Sequence, residues 1–205
     1  MINENFALLG AAIFLFGSIG YLLETIQGKV KPNRVTWFLW ALAPLVAFTA
    51  QIKQGVGIQS LLTLMAGLIP LVIFFASFIN KNAYWQIGRL DIICGIFSIL
   101  GLVLWWITKV GNVAIAFAIL ADLLAALPTV IKSYKEPETE NYILYFANAI
   151  SAAITLFTIK MWNFATYGFP LYLLIVCALL TLLIRFKLGK RVSLAEHKKP
   201  LEKLK

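Results

Sequence analysis

Seven apolar runs dominate the chain, at roughly residues 6–27, 35–52, 59–79, 91–108, 113–132, 142–160 and 167–186. Between them lie only the short segments GKVKPNR, KQGVGIQ, NKNAYWQIGRL, VGN, SYKEPETEN and MWNFAT. These carry the Pro, Gly, Asn and charged residues that end helices. A bilayer crossing takes about 20 helical residues, so the pattern predicts an all-α membrane protein with seven transmembrane helices. Composition agrees. Of 205 residues 61% are apolar and 13% are charged, the latter about half the usual share. A water-soluble core of this length has no room for that much apolar surface, whereas lipid solvates it directly. The opening MINENF lacks a positive n-region and the first run is too long for an h-region, so this run is expected to be a retained span.

The net charge of +9 sits on short loops and a tail beside the apolar runs. That placement points to anionic headgroups and away from nucleic acid. With seven spans, alternate loops share a side. One side then carries fifteen Lys and Arg, including Lys29, Lys31, Arg34, Lys132 and Lys135, and the other only Lys53, Lys109 and Lys160. The asymmetry predicts an integral protein of the cell (inner) membrane, with its amino terminus outside and its carboxy terminus in the cytoplasm. Residues 187–205, with seven basic and two acidic side chains, form a basic tail expected to meet the anionic inner leaflet.

Several chemistries are excluded at this level. Cys94 and Cys177 each lie inside an apolar run, where they read as small packing residues. The only histidine, His197, is in the tail, so no His-based metal site or Ser–His pair is expected within the spans. No HExxH motif and no paired carboxylate stands in a span, so neither an enzyme nor a cofactor is expected. A retinal-type lysine is absent from the last run.

The chain also repeats itself. KPNRVTWFLWALAPLVAF (31–48) lies without a gap on EPETENYILYFANAISAA (136–153), 105 positions later, bringing Pro32 onto Pro137, Trp37 onto Tyr142 and Trp40 onto Tyr145. The same offset brings the first run onto the fifth. The fourth run has no partner. The expected organisation is a first three-helix bundle over 1–80, a linker helix over 81–110, a second bundle over 111–186 and the tail over 187–205. An odd linker helix gives the two bundles the same orientation, a parallel repeat.

Within this layout LPTVIKSYKEPETENYI (127–143) resembles a PQ-loop motif, in which a helix ends in Leu-Pro-Gln, a basic-aromatic stretch follows and a polar turn opens the next helix. Pro128, Lys132, Tyr134, Lys135 and Thr139 fit it; Thr129 stands at the Gln position, and Leu23-Glu24 stands where the first half would have Pro-Gln. The chain as a whole resembles the PQ-loop and SWEET superfamily over residues 6–186. The resemblance implies a transporter moving a small polar solute by alternating access, with proton coupling as one mode. A receptor or sorting protein resembling the KDEL-receptor branch is the alternative. The third and seventh spans lack the pocket asparagine of the family's sugar carriers, and Asn148 stands about where its proton-coupled members carry an acid.

Individual residues sharpen these expectations. Asp122 lies about nine residues from either end of its run, roughly 14 Å from each surface, where a charge costs about 2.5–3.5 kcal/mol. It is read as the coupling site for a proton or other cation, the alternative being a hydrogen-bonded structural carboxyl. Trp40, Tyr145, Asn148 and Ser151 are read as solute-binding, on two faces that meet between the bundles. Trp37 is expected to anchor at the interface. Pro44 and Pro128 are candidate hinges. Glu24 is a candidate gate, or a carboxylate paired with Lys29 or Lys31. The expected partners are a small-molecule solute and membrane lipids; nothing in the sequence fixes an oligomeric state. A reporter fused after Lys205 is expected to be active only in the cytoplasm, and activity confined to the outside would reverse this topology.

Overall fold

The computed structural model describes residues 2–108 and 111–191. It contains α1 (Phe6–Gln27), α2 (Arg34–Lys53), α3 (Ser60–Ala76), α4 (Arg89–Thr108), α5 (Gly111–Lys135), a one-turn 3-10 helix η1 (Pro137–Thr139), α6 (Tyr142–Thr158) and α7 (Phe164–Phe186). Among the described residues there is no strand, and the seven α-helices end within three residues of the seven apolar runs. Four of them, α1, α2, α5 and α7, are long and apolar enough to cross a membrane; α3 and α6, of 17 residues each, are apolar but shorter. Lys109, and the tail from residue 192 onward, lie outside the described residues.

Asparagines start the helices. Asn33 accepts from the Val35 and Thr36 amides, Asn141 from Ile143, and Asn163 closes a capping box with Thr166. Gly28, at φ 74°, ends α1 in the left-handed conformation that a side chain would strain. The two caps Asn33 and Asn141 are 108 positions apart. The ungapped sequence alignment used 105. Counted from its own cap, Trp37 stands at the same helical position as Tyr145, and Trp40 at the same position as Asn148, nearly one turn from the sequence alignment.

Helix contacts repeat along the chain. Both α1 and α2 pack on α3, and both α5 and α6 pack on α7; across the middle α1 meets α6 and α2 meets α5. The remaining helix, α4, leans on α5 and α2. Small residues allow the crossings. A Cβ on Gly17 would stand 2.3 Å from the Ala147 Cβ, and one on Gly10 3.2 Å from the Ser151 Oγ. Large apolar side chains face outward, Phe16 at 69% and Phe157 at 66% exposure, while Ser18, Thr36, Ser98, Asp122, Asn148 and Thr155 are buried. Polar inside and apolar outside is the polarity lipid demands.

Between helices, the polar bonds go mainly to carbonyls of α5. Ser98 of α4 donates to Ala121 (2.7 Å), while Trp40 and Thr36 of α2 donate to Asp122 (3.3 Å) and Ala125 (2.8 Å). At the surface Glu138 of η1 accepts from Lys190, whose ammonium holds its carboxyl below the usual range, and lies 3.6 Å from Lys187. The α1–α6 crossing makes a direct prediction. Gly17→Ala is expected to lower stability by roughly 1–3 kcal/mol through overpacking, read as a drop in thermal midpoint in detergent. Gly20→Ala, where a Cβ meets nothing within 4 Å, is expected to leave the midpoint unchanged or slightly raised.

Candidate functional site

One face of α5 runs Ala114, Ala118, Ala121, Ala125, Pro128, Lys132, all buried. Helical spacing puts these residues on one stripe, and small side chains let α2, α4 and α7 come close. Asp122 stands beside this stripe, 3% exposed. Its Oδ2 accepts a hydrogen bond from the Tyr172 hydroxyl of α7 at 2.6 Å. Its Oδ1 is buried and has no partner among the described residues.

Asp122 lines a central cavity to which every α-helix except α4 contributes. Trp37, Trp40 and Pro44 come from α2 and Leu144, Tyr145 and Asn148 from α6. Phe14, Ile69 and Cys177 add apolar wall. Asn148 Oδ1 and Trp37 Nε1 join Asp122 Oδ1 as buried polar atoms without a partner. The cavity volume is about 30 Å³, room for only about one or two waters. Two prolines on its wall, Pro44 and Pro70, each remove a helical N–H. The carbonyls four residues earlier belong to Trp40 and Ala66, and both residues also line the cavity.

An aromatic layer closes one end. Tyr21 and Trp37 are 4.9 Å apart between ring centres, Trp37 and Trp40 5.5 Å, and Tyr145 lies 6.2 Å from Trp40 and 6.4 Å from Tyr21. Behind it sits an ion pair with both side chains buried, Lys132 Nζ to Glu140 Oε1 at 2.6 Å, 1% and 0% exposed. Glu140 Oε2 accepts from the hydroxyls of Tyr21 (2.8 Å) and Tyr145 (2.9 Å). Lys132 also donates to the Lys31 carbonyl and stands 5.0 Å over the Trp85 ring. Tyr145 therefore has its ring on the cavity and its hydroxyl on the ion pair. At the opposite end Ala50, Val56, Ile115 and Ala165 pack together.

Of the residues singled out from sequence, Trp40, Pro44, Asp122, Tyr145 and Asn148 come together on this cavity. Ser151 is buried on the same helix but faces α1 at Gly10, not the cavity. Pro128 is buried inside α5, which continues to Lys135. Glu24 is half-buried and accepts from Asn141 Nδ2 at 2.7 Å. Among the described residues neither Lys29 nor Lys31 forms an ion pair with it. Trp37 is not an interfacial anchor: it is fully buried, because Tyr21 and Trp40 enclose it.

Glu140, Tyr172 and Tyr21 were not legible as site residues. Glu140 stands among Glu136, Glu138 and Lys135 in a polar linker, with nothing local to single it out. Lys132 did carry a signal, since it continues the buried small-residue stripe of α5. No family model, curated protein or solved structure matches this chain. Breaking the ion pair on one side should be severe. Glu140→Gln leaves Lys132 charged and buried and is expected to cost about 3–5 kcal/mol. Adding Lys132→Met to that variant is expected to recover a large part of the loss. Denaturation of the purified single and double variants reads both effects.

Proposed function

We propose that this chain is a seven-span transporter for a small polar solute, working by alternating access between α1–α3 and α5–α7 with α4 as connector. The observation that carries this reading is the central cavity, built by the six helices of the two triplets and lined by buried acceptors at Asp122 and Asn148. Further support comes from the repeated contacts, α1 to α6 and α2 to α5. All seven helices are read as crossing the membrane. A 17-residue helix extends about 25 Å, enough with its flanking residues for a bilayer core. The end carrying Lys31, Lys132 and Glu140 is read as cytoplasmic, on the charge asymmetry of the loops. The PQ-loop resemblance of residues 127–143 fits the same reading.

A solute for this site is small and carries hydrogen-bond donors for Asp122 and Asn148, with a flat or apolar side against Trp40 and Tyr145. At about 30 Å³ the cavity requires expansion before such a solute enters. Pro44, Pro70 and Pro128 supply points where the helices lack a backbone bond. At the proposed cytoplasmic end, both charges of the seal, Lys132 and Glu140, belong to the second triplet and the α5–α6 loop, while the first triplet contributes the Tyr21 hydroxyl and the Lys31 carbonyl and the α3–α4 segment the Trp85 ring. Separation of the halves then breaks hydrogen bonds to neutral groups and leaves the ion pair intact, which avoids the cost of parting buried charges.

Asp122 is assigned to cation coupling. Asp122→Asn keeps shape and hydrogen bonding but cannot titrate. Purified protein is first screened against small solutes by thermal shift. In proteoliposomes wild type is expected to accumulate a stabilising solute in response to a pH gradient, and Asp122→Asn to bind it without accumulation. Undiminished pH-driven uptake by the variant would refute the coupling role. Solute binding with no flux in wild type would favour a receptor.

A further inference from the structure

On the outer surface α2 forms the floor of a groove whose walls are α3 and α4, two helices that do not touch each other among the described residues. Its lining is Val35, Phe38 and Leu39 from α2, Phe74 from α3, and Gly95 and Ile99 from α4, with Arg34 at the head end. The groove is open to the outside and holds about 360 Å³. Gly95 keeps it open: a Cβ there would already stand 3.0 Å from Val35 Cγ1.

Arg34 is the only polar residue on this lining, and it is fixed in place. Its Nε donates to Ser77 Oγ at 3.1 Å and one Nη to the Ser77 carbonyl at 2.7 Å. The guanidinium lies over the Phe78 ring at 4.0 Å and the Tyr84 ring at 4.6 Å. Among the described residues no carboxylate is within ion-pair distance of it. Two of its five N–H donors are used, leaving three for an external acceptor. Arg34 is also the first residue of α2, where the helix dipole adds positive potential.

From an apolar, chain-sized groove ending in a rigid, half-buried guanidinium with free donors, we infer that this face binds an anionic phospholipid. The phosphate meets Arg34, and one acyl chain lies along α2 between α3 and α4. Charge and shape act together here. The groove alone accepts any acyl chain; the guanidinium holds the phosphate and favours a headgroup with no ammonium of its own to cancel that charge. This differs from diffuse attraction to the basic tail, because the site is on the helical body and uses one residue.

The inference rests on the membrane reading above, and one experiment separates the two. Full-length protein purified in mild detergent is incubated with equal amounts of phosphatidylglycerol and phosphatidylcholine, and retained lipid is counted by native mass spectrometry. Both lipids offer a phosphate to Arg34, but the choline ammonium of phosphatidylcholine cancels its net charge, so wild type is expected to keep one phosphatidylglycerol over phosphatidylcholine by about tenfold, the size of one weakly screened charge interaction. Arg34→Gln is expected to abolish that preference with the tail still present. Gly95→Leu, which fills the groove, is expected to lose the retained lipid of either headgroup. Lipid retained by wild type without a headgroup preference, a preference that survives Arg34→Gln, or lipid retained undiminished by Gly95→Leu would each overturn the inference. Protein that stays soluble without detergent and retains no lipid would overturn the membrane reading itself.

Discussion

Two opposite charges, Lys132 and Glu140, are held almost wholly out of water, and the architecture of one end of the molecule follows from keeping them satisfied. A buried ion pair is stable only if its remaining donors and lone pairs are also bonded. Four chain segments meet that demand: α1 with Tyr21, the α1–α2 loop with the Lys31 carbonyl, the α3–α4 loop with Trp85, and α6 with Tyr145. The linker between α5 and α6 is therefore part of the interior. It turns inward through Pro137, which is buried, and carries Glu140 under the aromatic layer.

The helix α5 takes side-chain bonds from three other helices. It accepts side-chain bonds from α2 and α4 on its carbonyls and offers Asp122 to Tyr172 of α7. Bonds to backbone carbonyls depend little on the identity of the accepting residue. The accepting helix can be built almost entirely of alanine there, and alanine allows the closest approach. Small side chains, shared carbonyls and a short polar inventory are thus one solution to packing helices whose outer surfaces are apolar.

The central cavity joins these two features. Tyr145 reaches from its wall to Glu140, and Asp122 reaches from its wall to Tyr172. On the proposed reading, a solute that displaces Tyr145 disturbs the seal at the same moment, which links occupancy to opening without a separate relay. The cavity is small, and polar atoms at Asp122, Asn148 and Trp37 are buried beside it with no hydrogen-bond partner among the described residues.

The sequence by itself determined the helices, their approximate ends and the apolar outward surface. Each of these is local or periodic: an apolar run is visible residue by residue, and a cap or proline acts on its own turn. It also brought out Asp122, because a carboxylate amid apolar residues is conspicuous in any register. Only the tertiary structure decided which polar groups meet. Glu140 is one of several acids in a charged linker, and its burial depends on Tyr21, 119 positions away. Trp37 sits where an interfacial anchor would, yet Tyr21 and Trp40 enclose it. Ser151 shares α6 with Asn148, but a glycine on α1 draws it to a different neighbour. The caps Asn33 and Asn141 stand 108 positions apart, not the 105 of the ungapped alignment, because an alignment scores similarity of side chains and not the turn at which each helix starts.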